Sequence, residues 1–232
     1  MTMSPTQRLT VSRGGPATNS YVWSPFVTKL EARLRFAAFS YSRDAGSPRS
    51  APKRKIPYVQ FPDATTLGDS TLIIKYLVER DALPDLNATL KPAQKAHDLA
   101  IRALLEDKLY FYHGKEKWCD NYTTMRDGVL AAIPWPMRMI IGYIAQRGAI
   151  QMLYGQGTLR LQDDEITMLM AEIWDNVEAL LQEAKVSRKE EQGPFWALGG
   201  KEPTEADATL FGFVVGALVC DAWVPSLERT GQ

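Results

Sequence analysis

The chain has 232 residues, of which 45% are apolar and 23% charged, as expected for a folded protein with one large domain or two small ones. Lysine plus arginine and aspartate plus glutamate each total 27, so the net charge is zero and a nucleic-acid-binding module is disfavoured. The two cysteines, Cys119 and Cys220, lack disulfide, metal or redox spacing. We expect a reducing, cytoplasmic location, because the first twenty residues also lack the apolar segment of a secretory signal.

The first 84 residues have the pattern of an α/β domain. The predicted elements are a strand at 8–12, a helix at 25–38, a weak strand at 39–42, two strands at 56–61 and 65–67, and a helix at 69–78. Residues 43–55 form a basic loop rich in glycine, proline and serine. Strand, loop and helix open a βαβ unit, and the two later strands form a hairpin. A domain boundary is predicted near residue 85.

Residues 92–232 show only helical periodicity. The predicted helical stretches are 93–112, an apolar segment interrupted by Pro134 and Pro136, 163–184, and 204–223. The apolar run at 208–219 is too short to cross a bilayer, so we expect a buried core helix and no membrane span. The sequence therefore predicts an α/β domain followed by an all-helical domain.

A hydroxyl group stands directly before the first predicted helix, in the sequence Trp23-Ser24-Pro25-Phe26. The unpaired N–H groups and the dipole at a helix start favour negative charge, so a thiolate brought to Ser24 is stabilised there. The alternative is that Ser24 is only an N-cap, which is the more common role for such a serine. Both interpretations stay open on this motif alone.

Two further segments can also be interpreted either as ligand-binding or as purely structural. A cis bond between Ile56 and Pro57 would turn the backbone of Ile56 outward to pair with an extended peptide, although most X-Pro bonds are trans. At the start of the helix at 69–78, Ser70 and the N-terminal amides are suited to a carboxylate, while Asp69 is suited to an amine. The α-amino and α-carboxylate groups of one amino acid would satisfy both. The alternative is that these residues only cap the helix.

Other polar residues are interpreted as structural. Thr204 and Asp207 form a variant of the capping box before the last helix, in which each satisfies a backbone donor of the other. His97 and His113 have no acidic or cysteine partner at ligand spacing, so metal binding is disfavoured.

The order of three motifs, Ser24-Pro25-Phe26, Lys55-Ile56-Pro57-Tyr58 and Gly68-Asp69-Ser70, resembles the glutathione transferase superfamily. The Ser-Pro-Phe motif is similar to that of tau-class transferases. More of the chain, about residues 8 to 223, resembles the metaxin and failed-axon-connections branch. The segments that carry this second likeness are 24–35, 51–58, 69–77, 155–160 and 201–213.

The resemblance implies a thioredoxin-like glutathione-binding domain over residues 1–84 and an all-helical C-terminal domain over 92–232. It implies that Ser24 faces the glutathione thiol and that Ile56, before Pro57, pairs with the cysteinyl unit through its backbone. Asp69 and Ser70 would hold the γ-glutamyl head. Lys55, together with Lys53, would meet the glycine carboxylate. The list of implied site residues is thus Ser24, Lys53, Lys55, Ile56, Pro57, Asp69 and Ser70.

The sequence departs from the metaxin-like branch at Val27, where that branch often has a cysteine. Cysteine-based deglutathionylation is therefore disfavoured, because no thiolate stands at that helix start. Two functions remain. The first is an enzyme that takes glutathione as cosubstrate, without a metal, and adds its thiol to a small hydrophobic electrophile or uses it in isomerisation or elimination. The second is a non-catalytic binding or scaffold protein of the metaxin type. The resemblance also implies a homodimer.

Overall fold

A computed structural model describes residues 9–15, 18–188 and 193–222 of the chain. Their packing forms two compact units. The first comprises the described residues of Met1–Arg102 and Ser187–Val219, and the second those of Ala103–Val186 and Cys220–Gln232. The boundary predicted near residue 85 lies in the connection between two helices of the first unit and stays a prediction.

The first unit contains a mixed sheet. Its strands are β1 (Leu9–Ser12), β2 (Tyr41–Asp44), β3 (Tyr58–Gln60) and β4 (Thr66–Gly68), in the spatial order β2-β1-β3-β4. Strand β1 is parallel to β2 and antiparallel to β3, and β3 and β4 form the predicted antiparallel hairpin. The described strands confirm the predicted order, with β2 displaced two residues toward the C-terminus.

Two helices cover this sheet, α1 (Pro25–Phe36) and α2 (Ser70–Val78). Leu30 and Leu34 of α1 and Ile73 and Leu77 of α2 are buried in one core with Val11 and other residues of the strands. Their spacing of three or four residues gives each helix one apolar face. The α/β prediction for this part of the chain is therefore confirmed.

Helix α8 (Glu205–Val219) belongs to the same unit and packs along α1. The contact is close at Gly212, where a Cβ atom would lie 2.5 Å from the carbonyl oxygen of Pro25 and 2.9 Å from the amide nitrogen of Lys29. Helix backbones approach to this distance only where a side chain is missing. The apolar run at 208–219 is thus a helix, as predicted, but it is only partly buried, because Phe211 and Leu218 are exposed. Residue 223 lies outside the described residues.

The remaining described elements are helical, which confirms the predicted all-helical part. They are α3 (Pro92–Ala103), α4 (Tyr110–Lys115), α5 (Tyr122–Val129), α6 (Trp135–Gln156), α7 (Asp163–Ser187) and a 3₁₀ turn at Thr158–Arg160. Wider π-type turns at Leu104–Leu109 and Glu116–Asp120 flank α4 and link the chain from α3 to Asp120. Pro134 and Pro136 stand at the start of α6, where proline is tolerated.

None of the helices in the described ranges is long and apolar enough to cross a membrane.

Candidate active site

Ser24 is the N-terminal cap residue of α1, but its side chain does not act as a cap. Its backbone is extended, with φ −84° and ψ 114°, and its carbonyl oxygen accepts the N–H of Thr28 at 3.3 Å. The hydroxyl makes no capping hydrogen bond, and the first turn of α1 has no acidic residue. The half-buried hydroxyl is therefore available at the positive end of a helix dipole.

The loop that leads to Ser24 is held by Arg13, which the sequence analysis did not select. Its guanidinium donates to the carbonyl oxygens of Thr18 at 2.8 Å and Ser20 at 2.6 Å. Its Nε lies 2.8 Å from a carboxylate oxygen of Glu31 in α1. Both charged side chains are at most 2% exposed. The pair ties the loop to the helix that Ser24 begins.

The cis bond before Pro57 is present, and Pro57 directly precedes β3. Ile56 is half-buried, and within the described part of the chain its N–H and C=O pair with no other backbone group. Its side chain lies against Gly14, where an added Cβ would be 1.7 Å from Ile56 Cδ1. Gly14 has φ +68°, in the left-handed region that glycine tolerates best. This contact brings the loop before Ser24 against the side chain of Ile56.

Asp69 and Ser70 lie beside the same segment. The N–H of Asp69 donates to the carbonyl oxygen of Pro57 at 3.3 Å, and the following strand residue, Tyr58, pairs with Gly68. Asp69 is the cap of α2, because its Oδ1 accepts the N–H of Leu72 at 3.1 Å. The side chain of Asp69 is exposed and Ser70 is buried at the helix start. Asp69 and Ser70 therefore lie next to the Ile56-Pro57 segment.

The two candidate lysines are exposed on the loop before Pro57. A Cβ atom at Gly68 would lie 3.7 Å from both the backbone nitrogen and Cγ of Lys53, so Lys53 stands beside the start of α2. Lys55 directly precedes Ile56. Neither ammonium makes an ion pair within the described residues. Both are thus open to an anionic group.

The cysteine side chains offer no activated thiol. Burial raises the pKa of Cys119 and of Cys220 above the ordinary thiol value. Val27 stands at the helix start and is buried. Thiol chemistry at the start of α1 would have to use the sulfur of a ligand.

The capping box predicted before α8 is present in one direction only, because Asp207 accepts from Thr204 but the Thr204 hydroxyl donates to the carboxylate instead of accepting the N–H of Asp207. Asp207 accepts the N–H of Thr204 at 2.8 Å and its hydroxyl at 2.9 Å, and it also accepts the N–H of Ala197 at 2.7 Å. Burial raises the pKa of Asp207 despite these bonds. The described residues contain no group of three or more histidine, cysteine or acidic side chains arranged to hold a metal ion.

Residues 25–124 match the glutathione S-transferase N-terminal domain family. The computed structure superposes on glutathione transferase GSTFuA3 from Phanerochaete chrysosporium, with a TM-score of 0.59, 14% identity, and coverage of 95% of this chain and 90% of that one. The chain has the glutathione-transferase fold. Ure2p in complex with glutathione also matches this fold, with a TM-score of 0.54, 15% identity, and coverage of 99% and 84%.

A curated relative supports the same superfamily. Isoprene-epoxide–glutathione S-transferase from Rhodococcus sp. (strain AD45) is 37% identical over 92 residues, which are 38% of this chain. The match spans only 38% of that relative's length. The domain family and this relative are both named as glutathione S-transferases. The segment matched by the domain family starts at Pro25, directly after Ser24, and contains the other candidate site residues.

Proposed function

We propose that the chain is a glutathione-dependent transferase in which the Ser24 hydroxyl donates a hydrogen bond to the sulfur of bound glutathione. The observation that carries this proposal is that Ser24 occupies the cap position of α1 while its hydroxyl caps nothing. The helix dipole and the first-turn amides add to the stabilisation of a thiolate. Lowering the thiol pKa from about 8.5 toward neutrality raises the thiolate fraction at pH 7 by about tenfold.

The rest of glutathione would follow the two segments that meet at Pro57. The unpaired backbone of Ile56 would bond the cysteinyl unit as a short extended strand. Asp69 and Ser70 would hold the γ-glutamyl head, and Lys55 with Lys53 the glycine carboxylate. Support comes from the 3.3 Å bond between Asp69 and Pro57 and from the absence of ion pairs at both lysines within the described residues.

The second substrate would be a small hydrophobic electrophile. The name of the Rhodococcus relative gives isoprene epoxide as its substrate, and we take an epoxide as the first candidate class here. In the proposed step the thiolate forms a carbon–sulfur bond while one carbon–oxygen bond of the ring breaks. The resulting alkoxide takes a proton from solvent. Orientation of the two substrates supplies much of the rate, because the pKa effect alone is modest.

The second candidate function is that of a non-catalytic binding or scaffold protein with the glutathione-transferase fold. One observation favours it: Asp69 already uses one carboxylate oxygen to cap α2, which leaves less of it for an amine. Such a protein would keep the fold and bind a macromolecular partner through other surfaces. A homodimer is proposed for either function on the resemblance, and a cytoplasmic location on the cysteine usage. Light scattering of the purified protein tests the dimer.

Calorimetric titration of glutathione into the wild type and three variants tests the enzyme. Asp69→Ala is expected to weaken binding, because the γ-glutamyl amine loses its partner. Ser24→Ala is expected to keep most of the affinity but to raise the pKa of the bound thiol toward its solution value, as followed by thiolate absorbance, because only the helix dipole and the first-turn amides remain. Ser50→Ala, an exposed serine of the basic loop, is the control and should change neither. If the wild type shows no binding at millimolar glutathione, the non-catalytic function is correct.

A further inference from the structure

A cavity of about 400 Å³ lies in the first unit. It is bounded by α1, α2, the end of α3 and the start of α8. None of the seven candidate glutathione-site residues lines it. Its volume is in the range of small-molecule sites. Six charged side chains line it: Lys29, Lys75, Glu79, Asp85, Arg102 and Glu205.

The inner wall carries both signs of charge in fixed positions. Lys29 is 1% exposed, and its Nζ donates to the Thr71 hydroxyl at 2.8 Å. Arg102 is held by Asp98, with Nε 2.8 Å from a carboxylate oxygen. The Glu205 carboxylate is held by Arg33 at 2.7 Å. Because each of these three groups is already bonded to a neighbouring side chain, the wall is organised before a ligand arrives.

The outer part of the cavity also carries both signs of charge. Lys75 and Glu79 are exposed and stand one turn apart on α2. Asp85 is also exposed, and its Oδ1 accepts the N–H of Asn87 at 2.9 Å. The lining therefore has three cations and three anions in all. A singly charged ligand would meet as many like charges as opposite ones, whereas a ligand with both charges can align with the wall.

We propose that this cavity binds a small zwitterion of the size of an amino acid or short peptide. Its carboxylate would face Lys29 and Arg102, and its ammonium would face Glu205 and Asp85. None of the lining residues is a proposed glutathione contact, so the proposal does not depend on the transferase function.

Glycylglycine is a suitable probe because it carries both charges on a short backbone. Calorimetry on the full chain is expected to show saturable binding of glycylglycine, with succinate and 1,4-diaminobutane at least tenfold weaker. Equal binding of succinate would overturn the zwitterion proposal in favour of an anion site. Absence of glycylglycine binding at millimolar concentration would overturn the site itself.

Charge reversal outside the core tests the location without unfolding the protein. Lys75→Glu is expected to weaken glycylglycine binding at least tenfold, since it leaves the lining with an excess of negative charge. Lys95→Glu, at an exposed position of α3 that does not line the cavity, should leave the affinity unchanged. If Lys75→Glu binds glycylglycine as tightly as the wild type does, the probe does not occupy this cavity and the proposal is overturned.

Discussion

The guanidinium of Arg13 lies 2.8 Å from the carboxylate of Glu31, and this buried pair joins the loop before Ser24 to the helix that Ser24 begins. Arg35 and Arg43 also approach Glu31, each at 3.4 Å, but both are more exposed than Arg13. The Glu31 carboxylate thus lies within 3.4 Å of three arginine side chains. The position of the Ser24 loop depends on the most buried of them.

Removal of Arg13 should therefore destabilise the protein more than removal of Arg35. Arg13→Gln leaves Glu31 with weaker partners and frees the carbonyls of Thr18 and Ser20, so we expect a loss of about 3 kcal/mol. Arg35→Gln removes an exposed pair and should cost less than about 1 kcal/mol. Urea denaturation measures both. Equal losses in the two variants would show that the buried pair does not anchor the loop.

A side chain at Gly14 should destabilise the protein, because it would adopt a positive φ and would have to displace Cδ1 of Ile56. Gly14→Ala combines the positive φ with an overlap against Ile56 Cδ1, and we expect a loss of about 2 to 3 kcal/mol, with weaker glutathione binding. Gly199 also has a positive φ, +70°, but no atom lies within 4 Å of its added Cβ. Gly199→Ala should cost only about 1 kcal/mol. Denaturation midpoints that do not separate the two variants would contradict the contact with Ile56.

The element order was predictable because the apolar spacing and the turn residues lie close together in sequence. The hairpin, the caps of α1 and α2, and the capping box at Thr204 are all local patterns. The buried charges of α1 were not predictable, since Lys29, Glu31 and Arg33 are typical of a solvated helix face. Their partners are distant in sequence: Thr71, Arg13 and Glu205. The packing of α8 on α1 buries Arg33 against Glu205, while the partners of Lys29 and Glu31 come from α2 and from the loop before α1.

Close packing of α8 on α1 predicts opposite results for two glycines of α8. A Cβ at Gly212 would meet backbone atoms of Pro25 and Lys29, so Gly212→Ala should destabilise the protein by about 1 to 3 kcal/mol. At Gly216 the nearest atoms are those of Pro25 at 3.5 to 3.7 Å, an ordinary contact distance. Gly216→Ala should be neutral or stabilising by up to about 1 kcal/mol, because alanine favours the helix. Thermal unfolding of the two variants checks this, and a stable Gly212→Ala would refute the close approach.

His113 should make the stability of the protein depend on pH below neutrality. It is buried and stacked on Trp174, with ring centroids 5.8 Å apart. Burial, with Lys117 as a secondary cause, lowers the pKa of His113 well below the ordinary value of 6.5. The unfolded chain therefore binds a proton below about pH 6.5 that the folded chain does not, and stability falls as the pH falls. The stabilisation is complete above pH 6.5 and decreases by about 1.4 kcal/mol per pH unit below it.

Replacement of the imidazole by a ring that cannot be protonated should weaken this dependence of stability on pH. His113→Phe keeps an aromatic partner for Trp174, so we expect its free energy of unfolding to change less with pH than that of the wild type between pH 6.5 and 5. Urea titrations at several pH values measure the difference, and an offset that is constant with pH does not affect it. His97→Gln, at an exposed position of α3, is the control for loss of a histidine. If the wild type and His113→Phe lose stability in parallel as the pH falls, His113 is not held neutral in the folded state.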